Sequence, residues 1–389
     1  METTERNHII YAIGEGVVSP LGFTASTVYE AVRNGERAGR AHDGTFGLPE
    51  PFFASLLDEA RLKNAFSALW DYGCDGYTKL EMAAILAANQ AFEEANIAPD
   101  RDNVIFILST TKGNVELLEN NPYEPERLYL WHTAQMLADF FNNPNTPIVV
   151  NNACISGCAA QIEAFRQLRH AGYRYAVVVG ADMLSKFIIS GFQSFKALSP
   201  ELCKPFDVSR RGLNLGEGAA ALVYTIDDPG TELPAGTIVA EGEAICNDAN
   251  HISGPSRTGE GLLRAIQKAT KGYDTSRTAF INAHGTATPY NDDMESIAIH
   301  RAGLQDIPTN SLKGYFGHTL GAAGILEVIL SAHALRDGIA LASAGTEEPG
   351  TAADIHICLE TKPVQGNSFL KLISGFGGSN AVLRFSITK

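Results

Sequence analysis

The sequence predicts a layered α/β protein made of two similar halves, and three observations carry that expectation. Short apolar runs of strand length alternate with segments of helical periodicity, as in sheets covered by helices. Both halves end in a glycine-rich turn that feeds a last apolar strand: Leu215-Gly216-Glu217-Gly218 before 219–225, and Gly375-Phe376-Gly377-Gly378-Ser379-Asn380 before 381–387. Asn152-Ala153-Cys154 is echoed by Asn282-Ala283-His284, each behind an apolar run. Taken in order, a strand is expected over 9–14, an amphipathic helix over 79–97, and buried strands over 104–108 and 147–150. A helix over 157–169 and a buried strand over 175–179 follow. The stretch 227–236 (DDPGTELPAG) is rich in Pro, Gly and acids and reads as a linker. The halves therefore divide near Glu232, into 1–232 and 233–389.

Composition narrows the function. The chain has 389 residues, 45% of them hydrophobic and 19% charged, which excludes disordered, collagen-like and coiled-coil classes. A formal net charge of -14 repels a phosphate backbone, so nucleic acid is not an expected partner. No apolar run approaches the length of a bilayer span. The N-terminus has the wrong charge order for a secretory signal. The six cysteines (Cys74, Cys154, Cys158, Cys203, Cys246, Cys358) lack framework spacing and read as reduced thiols, so a cytoplasmic location is expected.

Cys154 lies between a strand and a helix that starts just after it. A thiol there feels the positive end of the helix dipole, which favours thiolate. Its small neighbours Ala153, Ser156 and Gly157 admit a carbonyl substrate and leave backbone N–H groups free for an oxyanion. Against this, Cys154 and Cys158 could be small apolar residues one helical turn apart. No further ligands near this pair suggest a metal. His284 lies in AFINAHGTATP, with Gly285 giving access and Thr286 and Thr288 offering hydroxyls; a plain polar loop is the bland alternative. His318 stands between Gly317 and a Gly/Ala-rich helix start. Lys313 precedes it among apolar Leu312, Tyr315 and Phe316, and Glu327 on the following helix is its natural partner if both are buried.

Asn151-Asn152-Ala153-Cys154-Ile155-Ser156-Gly157, His284-Gly285-Thr286-Ala287-Thr288-Pro289, Asn310-Ser311-Leu312-Lys313 with Gly317-His318, and Gly375-Phe376-Gly377-Gly378-Ser379-Asn380 occur in this order. Together they resemble the signature segments of β-ketoacyl-acyl-carrier-protein synthases of the elongating, type II-like branch. Ala197-Leu198-Ser199, Pro205-Phe206-Asp207, Arg211-Gly212 and Asp248-Ala249-Asn250-His251 with Ser253 and Pro255 extend the match over nearly the whole chain. The resemblance implies the thiolase fold, two related halves in a five-layer α-β-α-β-α arrangement, and a dimer. A homodimer is expected, with a heterodimer with a related chain as the other possibility.

The same resemblance implies a chemistry. Cys154 would accept an acyl group from acyl carrier protein as a thioester. His284 and His318 would assist decarboxylation of a malonyl thioester, and the N–H groups of Cys154 and Phe376 would hold the oxyanion. Phe376 resembles a gating aromatic, and Lys313 with Glu327 would support the histidines. Thr286, Thr288, Ser253 and His251 fall where the family binds the phosphopantetheine arm. No tightly bound cofactor and no metal are implied.

Other readings fit less well. A thiolase needs a second cysteine in a late Cys-x-Gly motif, whereas the late Cys358 stands in His356-Ile357-Cys358-Leu359-Glu360. The initiating type of synthase uses Cys-His-Asn, and a Cys-His hydrolase needs only one histidine. A non-catalytic chain-length-factor-like subunit typically lacks the cysteine. Ile155 and Ser379 depart from the usual residues, leaving open whether the acyl chain belongs to fatty acid, polyketide or polyene synthesis. Charge complementarity with an acidic carrier predicts a basic patch at the site mouth, from Arg61, Lys63, Arg210 and Arg211.

Overall fold

In the computed structural model, which describes residues 8–70, 73–228 and 230–388, the chain repeats one series of elements twice. The first series is β1 (Ile9–Val18), α1 (Lys79–Ala95), β2 (Val104–Ser109), α2 (Leu130–Phe140), β3 (Ile148–Val150), α3 (Ser156–His170), β4 (Tyr175–Asp182) and β5 (Gly218–Asp227). The second is β6 (Ile238–Asn247), α4 (Glu260–Ala269), β7 (Thr278–Asn282), α5 (Pro289–Arg301), β8 (Thr309–Asn310), α6 (Ala323–Arg336), β9 (Ser368–Gly375) and β10 (Ser379–Ile387).

Strand order is β3-β2-β4-β5-β1 in the first half and β8-β7-β9-β10-β6 in the second. Directions repeat as well: the first three strands of each set run parallel, and the last two are antiparallel to their neighbours. The two sets join where β1 and β6 pair antiparallel, with Ile10 opposite Ala240.

The layers follow from period-2 side-chain placement. In β2, Val104, Phe106 and Leu108 pack with α1 and α2 in one outer core, while Ile105 and Ile107 face a central core. In the second half, Leu370, Leu372 and Val382 pack with α4 and α5, while Phe369, Ile373 and Leu383 turn to the centre. The central core also holds α3 and α6. Helices thus lie outside, between and outside the two five-stranded halves of one continuous sheet, which is the expected five-layer thiolase fold. Strands buried on both faces explain why these segments read as continuous apolar runs rather than alternations.

The central helices approach closely because each has a glycine in its first turn, Gly157 in α3 and Gly324 in α6. A Cβ on Gly324 would come within 2.6 Å of the Cys158 nitrogen, and one on Gly157 within 3.0 Å of the Gly324 Cα. This contact brings together the loops that precede α3 and α6. The repeat also corrects one sequence match. Asn152-Ala153-Cys154 follows β3, whereas Asn282-Ala283-His284 ends β7, the counterpart of β2. The topological counterpart of the Cys154 loop is therefore the loop of His318.

Candidate active site

Cys154 stands two residues before α3, and Ala153 beside it takes a positive φ of 44°. That left-handed conformation is costly for a residue with a Cβ, and it turns the chain sharply at the thiol. The end of β9 runs alongside: a Cβ on Gly375 would lie 3.2 Å from the Cys154 nitrogen. The backbone N–H groups of Phe376 and of Cys154 itself point at the thiol.

His284 and His318 complete the centre. One side-chain donor atom from each, with the Cys154 Sγ, lies within 4.8 Å of the others. The imidazole rings meet edge to face, with centroids 5.0 Å apart and planes at 83°. The backbone N–H of Leu320 donates to Nδ1 of His318 at 3.2 Å, so the ring proton belongs on Nε2. Among the described residues that buried Nε2 has no hydrogen-bond partner, and neither does Nδ1 of His284. Burial first, then the ammonium of Lys313, holds both histidines well below their ordinary value, so both are neutral near pH 7.

The expectation for the nucleophile is corrected here. Instead of a thiol lowered by the helix start, burial pushes Cys154 up to about 11, against Lys313, Lys112 and the two N–H groups. Desolvation of the anion outweighs the nearby positive partial charges. A thiol and two imidazoles are also a soft donor set, but the ammonium of Lys313 behind them opposes a resident cation.

The loop of His284 is anchored from α5. The backbone N–H groups of His284 and Gly285 each donate to Glu295 at 2.7 Å, and that of Thr286 donates to Asp292 at 3.0 Å. Burial raises Glu295 to about 7 and Asp292 to about 6. Gly285, at φ 45°, has Ser311 so close that an added Cβ would sit 2.4 Å from it.

Lys313 and Glu327 form the expected buried pair, 2.7 Å apart. A second fully buried lysine, Lys371 of β9, closes on the other Glu327 oxygen. Sequence reasoning missed Lys371, Glu295 and Asp292. The legible sign of the first was a charge inside the apolar run Phe369-Leu370-Lys371-Leu372-Ile373.

A cavity of about 540 Å³ opens onto this centre. Cys154, His284, His318 and Phe376 line it, and so do Thr286, Thr288, Ser253 and His251. Thr286 and Thr288 share a hydroxyl hydrogen bond of 2.8 Å. The half-exposed ring of Phe376 packs against Phe192 and Phe195, at the end of the helix Lys186–Ser194.

The expected basic patch does not assemble. Arg61 stacks on Phe23, Lys63 pairs with Glu59, and Arg210 is buried against Asp292 and Asp293. Of the four, Arg211 lines the cavity, together with Lys196. Arg210 is drawn inward because the two carboxylates at the start of α5 need a cation more than the surface does.

The chain matches two family profiles: "Beta-ketoacyl synthase, N-terminal domain" over residues 10–225 and "Beta-ketoacyl synthase, C-terminal domain" over 237–347. It is 34% identical to a 3-oxoacyl-[acyl-carrier-protein] synthase 2 of Coxiella burnetii, over 96% of this chain and 97% of that one. It is 26% identical to a putative polyketide beta-ketoacyl synthase 1 of Streptomyces halstedii, over 95% and 96%. A beta-ketoacyl synthase from Burkholderia phymatum superposes with a TM-score of 0.84 at 25% identity, over 98% of this chain and all of that one. The ishigamide ketosynthase/chain length factor gives 0.85 at 24% over the same shares, a likeness of fold. Among the described residues, no helix is long and apolar enough to cross a membrane. Sequence and architecture agree: the chain belongs to the β-ketoacyl synthase family, acyltransferases that form carbon–carbon bonds.

Proposed function

We propose that this chain is a 3-oxoacyl-[acyl-carrier-protein] synthase that extends an acyl group held on Cys154 by decarboxylative condensation with malonyl carrier protein. The observation that supports this most is the single cluster of Cys154 with two neutral imidazoles at the end of an open cavity. In the first half-reaction the Cys154 sulfur attacks the acyl thioester. The carrier's phosphopantetheine sulfur leaves and takes up the proton that Cys154 gives up, so no net charge remains in the buried site. The N–H groups of Cys154 and Phe376 face the sulfur and suit the oxyanion of the tetrahedral intermediate.

In the second half-reaction, malonyl thioester loses carbon dioxide and leaves an enolate. Nε2–H of His318 and an N–H of His284 donate to its carbonyl oxygen as negative charge develops there. The enolate carbon attacks the Cys154 thioester carbon, and collapse of that intermediate expels the Cys154 thiolate, which takes up one proton from solvent to match the carboxylate lost as carbon dioxide. Lys313 and Glu327 support the histidines from behind, and Phe376 gates the acyl side. Thr286, Thr288, Ser253 and His251 would hold the phosphopantetheine arm, with Lys196 and Arg211 meeting the acidic carrier at the mouth.

We also propose that the units divide near residue 232, between β5 and β6, and that the chain works as a dimer with itself or a related chain. A non-catalytic partner subunit is disfavoured by the intact Cys154, His284 and His318. The test is to incubate the protein with a panel of acyl carrier protein thioesters and read intact mass. One acyl increment on the wild type and none on Cys154→Gln is expected. An increment retained in Cys154→Gln would place the acyl group elsewhere.

A further inference from the structure

Behind the two histidines lies more charge than the proposed reaction has so far used. Glu327 of α6 receives Lys313 on one carboxylate oxygen at 2.7 Å and Lys371 on the other. All three side chains are 0–1% exposed. The Lys371 ammonium also donates to the Asn282 side-chain oxygen at 2.7 Å and, weakly, to the Ala283 carbonyl at 3.5 Å. Its three protons therefore meet three acceptors, the pattern an ammonium satisfies and a neutral amine does not. Asn282 and Ala283 immediately precede His284, so Lys371 ties the strand end that carries His284 to α6 of the central layer.

We propose that Lys371 is a positioning residue of the active site. With Lys313 and Glu327 it forms a cluster whose one unbalanced positive charge faces the negative charge developing at Cys154, His284 and His318.

Burial, with Lys313 nearby, holds Lys371 below its ordinary value, but its three acceptors, Glu327 among them, favour the ammonium form. Two cations against one carboxylate then leave a net charge of +1 in a fully buried place. Such a charge is costly to bury unless something opposite answers it. Among the described residues, the groups facing the cluster are Cys154 and Cys158 from either side of the α3 start, Cys203 against the Lys313 backbone, the two histidines, and Glu295 at the His284 backbone. Glu295, which burial raises to about 7, is only partly ionised at neutral pH and shares that charge among two backbone N–H groups and Asn291, and the remaining groups are neutral at rest. A thiolate, an enolate or a tetrahedral oxyanion would supply the missing negative charge during turnover. The cluster is then more favourably balanced in the transition state than in the resting enzyme, which is the condition for rate acceleration. The same charge disfavours protonation of either ring: Lys371 stands with Lys313 among the causes that hold both histidines low.

This inference rests on the decarboxylative reading of the site, and the test separates the two. Lys371→Met keeps volume without charge, and Lys371→Gln keeps a donor without charge. Each is made in the wild type and in the Cys154→Gln background, with thermal unfolding checked. Malonyl thioester decarboxylation should fall about 10- to 100-fold in both variants, in kcat more than in KM. NMR titration of labelled histidines, read without substrate, should show the two buried rings protonating at higher pH than in the wild type.

Full activity in Lys371→Gln with unmoved histidine titration overturns the proposal. So does wild-type protein in which both rings titrate at or above the ordinary value of about 6.5, an arm that needs no variant to fold. If the rings shift in the variants but no form decarboxylates malonyl thioester, the functional reading fails while the electrostatic coupling stands.

Discussion

The two halves share eight elements in one order and one strand topology, yet they present different side chains from matching positions. The loop after β3 carries Cys154, and its counterpart after β8 carries His318. The loop after β7 carries His284, while its counterpart after β2 carries Thr110, Thr111 and Lys112. Both of these last loops are held by buried acids, but of different origin. Asp182 at the end of β4 accepts from the Thr110 hydroxyl and the Thr111 N–H. Glu295 and Asp292 of α5 perform that service for His284, Gly285 and Thr286. The comparison teaches that a repeated scaffold fixes where loop ends converge, while single side chains set what each half brings to the proposed reaction.

The most severe break of that asymmetry is to remove the nucleophile. Cys154→Gln should lower condensation by roughly 10⁴-fold or more, yet leave malonyl decarboxylation running, since the donors lie in the other half. Loss of both activities in a folded variant would show that the halves do not divide the labour this way. Its mirror, His318→Ala, should lower decarboxylation about 10²- to 10⁴-fold while Cys154 is still acylated, as read by intact mass.

A smaller effect is expected at the anchors. Glu295→Gln leaves one of the two N–H groups it serves without a carboxylate oxygen, which should destabilise by about 1–3 kcal/mol at neutral pH. The pH dependence has a definite sign. Glu295 is raised to about 7 in the fold, so the folded state holds a proton that the unfolded chain has released. Its contribution is greatest below the unfolded value of about 4.3 and is lost as pH rises toward 7. Thermal unfolding followed from pH 4 to 8 should therefore fall less steeply for Glu295→Gln than for wild type. An unchanged slope would assign the loop's stability to Asp292 instead.

The mildest test concerns thiol reactivity. Cys74 and Cys246 are partly exposed, whereas Cys154, Cys158, Cys203 and Cys358 are buried. Brief iodoacetamide labelling at pH 7 should reach Cys74 and Cys246 first, reversing the order that the helix-start argument suggests. Labelling of Cys154 should accelerate as pH climbs toward about 11, and prior acyl loading should protect it alone. Fast labelling of Cys154 at pH 7 would mean that the free site holds a thiolate despite burial. Peptide mass mapping reads all six cysteines at once.

Local sequence was a good guide wherever the signal is carried by a few consecutive residues. The helix expected over 79–97 is α1, started by a capping box of Thr78 and Glu81, and the apolar run at 104–108 is β2. The signature loops of Cys154, His284 and His318 were legible because small residues and glycines must stand where strands end and a substrate enters. The basic patch was not legible, since pairing of Arg210 with Asp292 and Asp293 joins positions about eighty residues apart. Lys371 hid for the same reason: its partner Glu327 lies on another element of the central layer.

By itself, then, the sequence determined the alternation of strands and helices, the repeated glycine-strand endings, the family, and the three residues proposed for the reactive centre. Each is written in short segments whose backbone needs and residue sizes are local. Only the tertiary structure decided that the His318 loop is the counterpart of the Cys154 loop, that the Cys154 thiol is raised rather than lowered, and that two lysines share one glutamate. Those properties depend on what excludes water and which charges meet across layers, and burial and Coulomb energy are set by distance in space rather than by separation along the chain.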